Sequence, residues 1–202
     1  MSSTAFKEIE HKFLVDATFD REKFLSHLRA MSPVRMANIK VRDTYYVLAG
    51  DRKHVFRHRF DDEIQQLTVK SVENDTAVRT EINLPIDQSK GDQGPGVLAF
   101  MNALGCAWHG EIRKEISVAY FPDCEVVFYR AVGSGKTVHC VEFEAVAPSS
   151  VQAGLATLSK YELDLGFASR QRESKSLFEL VLLDGAPSDV RQVLNSRIQL
   201  IK

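Results

Sequence analysis

The sequence predicts an α+β fold in which eight antiparallel β-strands close into a barrel, a tunnel with flanking helices. Eight strand-like stretches follow one another, and several of the joins between them are short and rich in turn-forming residues. An antiparallel sheet of that size tends to close on itself, because closure removes its unpaired edges. Apolar stripes at helical spacing indicate that helices have an apolar surface to cover.

The first strand lies in the segment EIEHKFLV, which begins at Glu8. Successive side chains of a strand point to opposite faces, so Glu8, Glu10 and Lys12 share one face. The alternate positions carry mostly apolar side chains. This strand is therefore predicted to have one charged face and one mostly apolar face.

The other elements follow from similar patterns. Asp20 is placed to cap an amphipathic helix over 20–31, and a second helix is expected over 97–104. The remaining strands are predicted at about 36–48, 53–60, 64–72, 77–86, 108–120, 124–132 and 136–146. A third helix follows, and the tail from Lys175 is expected to be helical with a break at the segment GAPS.

The composition limits the classes of partner. The chain of 202 residues is 44% apolar and 26% charged, which is ordinary for a globular protein. Its formal net charge is −1, whereas proteins that bind nucleic acids or membrane surfaces in general carry an excess of basic residues. Neither a nucleic acid nor a membrane is therefore expected as a partner. Three widely spaced cysteines indicate reduced thiols rather than a zinc site. No apolar run resembles a signal peptide or a membrane helix, and a cytoplasmic location is expected.

The division into a charged and an apolar face recurs on five further strands. Their charged rows are Arg57 and Arg59; Gln66, Thr68 and Lys70; Arg79, Glu81 and Asn83; Glu111, Arg113, Glu115 and Ser117; and Glu142 and Glu144. In one arrangement these rows are solvated exteriors. In the other, helices cover the apolar outside and the charged rows line the barrel, which is costly unless the confined charges are paired or hold a ligand.

Three features favour the charged interior. The helices need an apolar surface to pack against, and the outer face of the sheet would provide it. The rows are rich in arginine, whose planar guanidinium group suits phosphate oxygens. The acidic residues cluster on the first and last long strands, which become neighbours if the sheet closes. On pattern alone both arrangements remain open.

The motifs, taken in order, resemble the CYTH superfamily, whose members are also called triphosphate tunnel metalloenzymes. The segment EIEHK matches the family's ExExK signature, and FLV strengthens the match to short bacterial members. The later motifs are matched by Asp43-Thr44-Tyr45, Arg57 and Arg59, Leu67 to Lys70, Arg79 and Glu81, Glu142-Phe143-Glu144, and Lys175-Ser176. The resemblance covers about residues 6–183 of a single domain over 1–202, with 184–202 as a C-terminal helical extension.

This resemblance implies a metal-dependent triphosphatase that hydrolyses inorganic tripolyphosphate or a small molecule carrying a triphosphate, which it binds inside the charged tunnel. The cofactor that it implies is Mg²⁺ or Mn²⁺. The substrate-binding residues that it implies are Lys12, Arg57, Arg59, Lys70, Arg79, Arg113 and Lys175. The metal ligands that it implies are Glu8, Glu10, Glu142 and Glu144. The catalytic residues that it implies are Glu8, Glu10, Lys12 and Glu81. For Glu81, a metal ligand, a water-orienting base and a salt bridge all remain open.

Departures from the family pattern leave alternatives open. Asn83 stands where many members have a glutamate, Glu115 follows Arg113 where a basic pair is usual, and a common aspartate is not evident on the seventh strand. The alternatives are an adenylyl cyclase of the fourth class, a thiamine or nucleoside triphosphatase, and a polyphosphate- or nucleotide-binding module without turnover. The sequence leaves open whether the chain forms a homodimer.

Overall fold

The structure, a computed structural model, describes residues 5–50, 54–71 and 78–192, without the side chains of residues 5–7, 71 and 79. Its strands are β1 (Ala5–Val15), β2 (Arg35–Leu48), β3 (His54–Phe60), β4 (Gln65–Ser71), β5 (Val78–Pro85), β6 (Cys106–Tyr120), β7 (Cys124–Gly133) and β8 (Lys136–Ala145). Its helices include α1 (Arg21–Ala30), α2 (Gly94–Ala103), α3 (Val151–Asp164) and α4 (Leu177–Val181).

The strands form a closed barrel in the order β1-β5-β4-β3-β2-β6-β7-β8. Every neighbouring pair of strands is antiparallel, and closure comes from β1, which pairs with β5 over its first half and with β8 over its second half. The closure brings the first and last strands together and places Glu10 opposite Glu144. The predicted fold class, an eight-stranded antiparallel barrel with flanking helices, is confirmed.

Much of the outside of the barrel is apolar and covered by helices. Ile9 and Phe13 of β1 lie in one buried cluster with Phe143 of β8 and Leu158 of α3. The ring of Phe13 packs edge-on against that of Phe143, with 5.7 Å between the ring centroids. On these strands the apolar face is therefore the outer one, and the charged face is left for the bore.

Helix α4 fills one end of the bore. Phe178 and Val181 share a buried cluster with Tyr45 of β2 and Ile112 of β6. Tyr45 lies opposite Arg57 in the sheet and therefore shares its face, which is the inner one. The end of the barrel at which β2 finishes and β6 begins is thus closed by apolar packing.

Local sequence explains where the helices begin. Asp20 caps α1 as predicted, because its carboxylate accepts a hydrogen bond from the Lys23 amide at 2.9 Å. Helix α2 begins at Gly94, three residues before the predicted start, because Pro95 is tolerated in a first helical turn. Among the described helices, none has both the length and the apolar character needed to cross a membrane.

The C-terminal part is less helical than predicted. Helix α4 covers only five residues and starts with a capping box between Ser176 and Glu179. The break at GAPS is present, and residues 188–192 are helical again. The rest of the predicted extension, 193–202, lies outside the described residues. The division into a core and an extension stays a prediction.

Candidate functional site

The predicted acidic and basic residues meet on the inner wall of the barrel. The register places Lys12 opposite Glu142 and Lys70 opposite Glu81. Each such pair joins two neighbouring strands on the same face. The predicted site residues whose side chains the structure places on this wall are Glu8, Glu10, Lys12, Arg57, Arg59, Lys70, Glu81, Glu142 and Glu144.

One side of the bore is acidic. Glu10, Glu144 and Glu125 follow one another across β1, β8 and β7. Burial raises the pKa of Glu144 well above its ordinary value, and the nearby carboxylates of Glu8, Glu10 and Glu125 raise it further. Burial and the neighbouring carboxylates therefore favour the protonated form of Glu144.

Sequence reasoning missed Glu125. Its strand reads CEVVFYRA, in which the apolar residues hide any alternation. Only the strand register shows that Glu125 faces the bore, because it places Glu125 opposite Glu144.

Lysines bridge this acidic side to the rest of the wall. Lys12 Nζ lies 3.1 Å from a carboxylate oxygen of Glu142 and 3.6 Å from one of Glu10. Lys70 forms ion pairs with Glu81 and, at 3.2 Å, with Glu8. Burial acts to raise the pKa of Glu81, but Lys70 and Arg57 outweigh it and hold that pKa below its ordinary value. Glu81 is therefore ionised and paired.

The other side of the bore is cationic. Arg57 is only 6% exposed, and its Nε has no hydrogen-bond partner among the described residues. One of its terminal nitrogens donates a long bond, 3.3 Å, to the Thr68 hydroxyl. Burial acts to lower the pKa of Arg57, but Asp43 and Glu81 are among the groups that outweigh it and hold that pKa above its ordinary value. Arg57 is therefore a buried cation, and its Nε is a donor without an acceptor among the described residues.

Arg59 and Lys114 extend this cationic side and share one carboxylate, that of Asp43. Arg59 donates to both oxygens of Asp43, at 2.8 and 2.9 Å, and Lys114 Nζ lies 2.6 Å from one of them. Burial lowers the pKa of Lys114 to about 8, and the neighbouring Arg59 and Arg57 act in the same direction. The cationic side therefore keeps an excess of positive charge.

The expectation that Arg113 lines the bore is wrong. Its side chain is 79% exposed on the outer face, where its Nε donates to Glu111 at 2.7 Å. The buried, inward residue of this part of β6 is instead the next one along the strand, Lys114. The misassignment has a physical cause. Ile112 lies on the inner face together with Lys114, because Ile112 packs near α4 inside the bore. The apolar residue of this strand was therefore not an indicator of the outer face.

Two further predicted ligands are not placed at the site. Lys175 is exposed just before α4, and its backbone amide donates to the Glu173 carboxylate at 2.8 Å. The backbone of Arg79 lies opposite Glu8, but its side chain falls outside the described part. Substrate binding by these two residues stays a prediction.

Comparison of the sequence with models of known protein families identifies the family of this chain. The family model described as the CYTH domain matches residues 7–165. This protein belongs to the CYTH domain family. A search of curated proteins finds no match.

Solved structures share the CYTH fold at low sequence identity. The PH1012 protein of Pyrococcus horikoshii aligns with a TM-score of 0.68 at 18% identity, covering 86% of this chain and 99% of the other. A Bacillus halodurans protein with the provisional name adenylate cyclase aligns at 0.61 and 13%, covering 89% and 99%. A Vibrio parahaemolyticus protein of the same provisional name aligns at 0.64 and 18%, covering 86% and 96%. At these identities the likeness shows the fold.

The acidic side of this CYTH barrel has the chemistry of a site for a hard divalent cation. Its donors are carboxylate oxygens, which Mg²⁺ and Mn²⁺ prefer. The mutual repulsion that raises the pKa of Glu144 would be relieved by a cation. Within the described residues, no three candidate ligands form a ready-made metal site. Such an ion would therefore be held jointly by a few carboxylates and by phosphate oxygens, as is usual for Mg²⁺.

Proposed function

We propose that this protein is a metal-dependent hydrolase of inorganic tripolyphosphate or of a small molecule that carries a triphosphate, bound inside the charged bore. The main support is Arg57, which is buried beside Arg59 on the wall of the barrel and whose Nε has no hydrogen-bond partner among the described residues. A phosphate oxygen would supply the missing acceptor. The acidic residues on the other side would hold the cation that accompanies it.

The basic side chains would fix the axis of the phosphate chain. Arg57, Arg59, Lys70 and Lys12 come from three strands, so they would contact the chain from several directions. Phosphoryl transfer asks a protein mainly for positioning and charge neutralisation. The wall therefore has what this chemistry needs.

The residues that would hold Mg²⁺ or Mn²⁺ are Glu8, Glu10, Glu142 and Glu144, with Glu125 beside them. When bound, such an ion neutralises phosphate charge and lowers the pKa of bound water. Tyr129 donates a hydrogen bond to Glu142 at 2.7 Å and would hold that carboxylate in place.

Glu81 suits a positioning role better than that of a general base. Its pKa lies below the ordinary carboxyl value because of Lys70 and Arg57, so it has little affinity for a proton at neutral pH. Its ion pair would hold the Lys70 ammonium towards the bore. Loss of Glu81 would then weaken phosphate binding through Lys70.

Helix α4 would make the bore a pocket with one mouth. Phe178 lies between Tyr45 and Trp108, with 5.5 and 5.9 Å between the ring centroids. These rings are therefore engaged in packing. Substrate would enter from the opposite end of the barrel.

An adenylyl cyclase is the second candidate. Two solved structures with this fold carry that provisional name. Such an enzyme must also hold adenine and activate a ribose hydroxyl. The third candidate, a binding module without turnover, is favoured by the departures from the family pattern at Asn83 and Glu115.

A substrate panel distinguishes these functions. Purified protein with Mg²⁺ or Mn²⁺ would be offered tripolyphosphate, ATP and thiamine triphosphate, with phosphate and cyclic AMP measured. We expect phosphate release and no cyclic AMP. Cyclic AMP would establish the cyclase instead, and tight binding of tripolyphosphate without product would establish the binding module.

A further inference from the structure

Asp43 is a carboxylate buried completely inside the bore. Its side chain is 0% exposed, and both oxygens are engaged by Arg59 while one also faces Lys114. Burial acts to raise the pKa of Asp43, but Arg59 and Lys114 outweigh it and hold that pKa well below the ordinary value. Asp43 is therefore ionised at neutral pH.

The contacts of Asp43 are those that a phosphate group would make. A guanidinium fork binds carboxylate and phosphate oxygens in the same two-pronged way. The ammonium group of Lys114 adds a third contact at 2.6 Å. Asp43 thus supplies the negative charge that Arg59 and Lys114 would otherwise lack.

The charge balance explains why such a group is needed. Arg57, Arg59 and Lys114 are mutual neighbours and, without Asp43, would be three cations in a confined space. Confined like charges either lose protons or drive their side chains apart. Asp43 therefore reduces the repulsion among these three cations.

We propose that Asp43 is a positioning residue, an internal counter-anion that keeps the Arg59 guanidinium and the Lys114 ammonium in place so that a triphosphate meets a preformed site. The inference rests on the proposed function, because it assumes that Arg59 and Lys114 bind phosphate. It adds two residues to that site, Asp43 and Lys114, and gives Asp43 a role through its neighbours rather than through the substrate. Because Asp43 balances these cations when no other anion is bound, it stabilises the protein more before the triphosphate binds than after.

The experiment measures the rise in melting temperature that tripolyphosphate causes in wild type and in Asp43→Asn. A chelator prevents turnover, and potassium chloride matches the ionic strength. We expect Asp43→Asn to melt lower without ligand, yet to show a ligand-induced rise at least about twofold larger, because the anion replaces the lost charge. A role in packing alone would lower both melting temperatures equally and leave the rise unchanged.

Two further variants complete the test. Glu111→Gln removes a carboxylate that pairs with Arg113 on the outer face, and it should leave the ligand-induced rise at the wild-type value. The double variant Asp43→Asn with Lys114→Met removes one charge of each sign. It should recover most of the melting temperature that Asp43→Asn loses, and it decides the matter if the single variant does not fold.

The outcomes separate the two proposals. If the ligand-induced rise of Asp43→Asn equals that of wild type, or if the double variant is no more stable than the single one, the inference about Asp43 is wrong while the proposed function stands. If tripolyphosphate raises the melting temperature of neither wild type nor Asp43→Asn, both are wrong.

Discussion

Arg57 and Arg113 are both arginines in strands with alternating charged residues, but only Arg57 lies inside the bore. Arg57 is 6% exposed and its Nε has no hydrogen-bond partner among the described residues, whereas the Arg113 side chain is 79% exposed and its Nε donates to Glu111. The same residue type therefore meets opposite conditions of burial and hydrogen bonding. A buried donor without an acceptor is the property that marks Arg57 as a binding group.

Replacing Arg57 by Ala tests this directly. We expect the KM for tripolyphosphate to rise at least about 10-fold, because a charge-assisted contact in a confined site is lost. The matched change Arg113→Ala removes an arginine from the outer face and should alter KM less than about twofold. Steady-state kinetics of both variants provide the measurement, and equal effects would contradict the assignment of faces.

Glu144→Gln should affect activity and stability in opposite directions. We expect kcat to fall at least about 100-fold, because a carboxylate of the cation site is lost. The metal-free variant should unfold at a higher temperature than wild type at neutral pH, because a buried charge among like charges is removed.

The pH dependence gives the sign of that effect. The pKa of Glu144 is raised in the folded state, so the metal-free wild type should lose stability as pH rises from the ordinary carboxyl range towards neutrality. Glu144→Gln should lack this contribution. Glu115→Gln, on an exposed residue of β6, is the control. A lower melting temperature for Glu144→Gln at pH 7 would show that its charge is already compensated.

Lys114 should couple triphosphate binding to proton uptake near pH 8. Its pKa is lowered to about 8 by burial and by the neighbouring arginines, and an anion beside it would raise that pKa. Calorimetric titrations at pH 8 in buffers of different ionisation enthalpy measure the protons bound. We expect Lys114→Met to reduce the uptake, and the exposed control Lys136→Met to leave it unchanged. An uptake identical in all three proteins would contradict the role of Lys114.

At the level of elements, α4 depends on a glycine in β7. A Cβ at Gly133 would lie 2.9 Å from Val181 of α4 and 2.8 Å from the backbone oxygen of Glu111. These distances are below normal contact, and one of the opposing atoms is backbone. The absence of a side chain at Gly133 thus lets α4 close the end of the bore.

We therefore expect Gly133→Ala to lower the free energy of unfolding by about 1–3 kcal/mol, the usual cost of an overpacked position. Hydrogen exchange at residues 177–182 should increase more than in the strands, because α4 is the element displaced. Gly96→Ala is the control, since a Cβ there would meet open space. Unchanged protection of α4 in Gly133→Ala would show that the helix adapts to the added methyl group.

At the level of the molecule, the inward face of a strand could be predicted from the sequence only where the two faces of that strand contact different surroundings. Glu8, Glu10 and Lys12 alternate cleanly with residues packed under α3, so their inward direction could be predicted. On β6 the inner face is shared by the apolar Ile112 and the charged Lys114, because the bore itself has an apolar end. Sequence alone does not show which part of a bore is filled by a helix.

Long-range charge balance was also outside the reach of the sequence. Asp43 was identified only as part of a motif, although it lies between Arg59 and Lys114. Glu125 became part of the acidic side only through its register with Glu144. Both depend on contacts between strands that are distant in sequence, whereas the barrel itself follows from local alternation and short turns.

The most direct test is a crystal structure with tripolyphosphate and Mg²⁺ bound to the Glu144→Gln variant, whose slow turnover should preserve the substrate. We expect the phosphate chain inside the barrel, within hydrogen-bonding distance of Arg57 and Arg59, and a divalent ion between the phosphates and Glu10. Tripolyphosphate bound only on the outer surface, with no phosphate oxygen near Arg57, would contradict the proposed function.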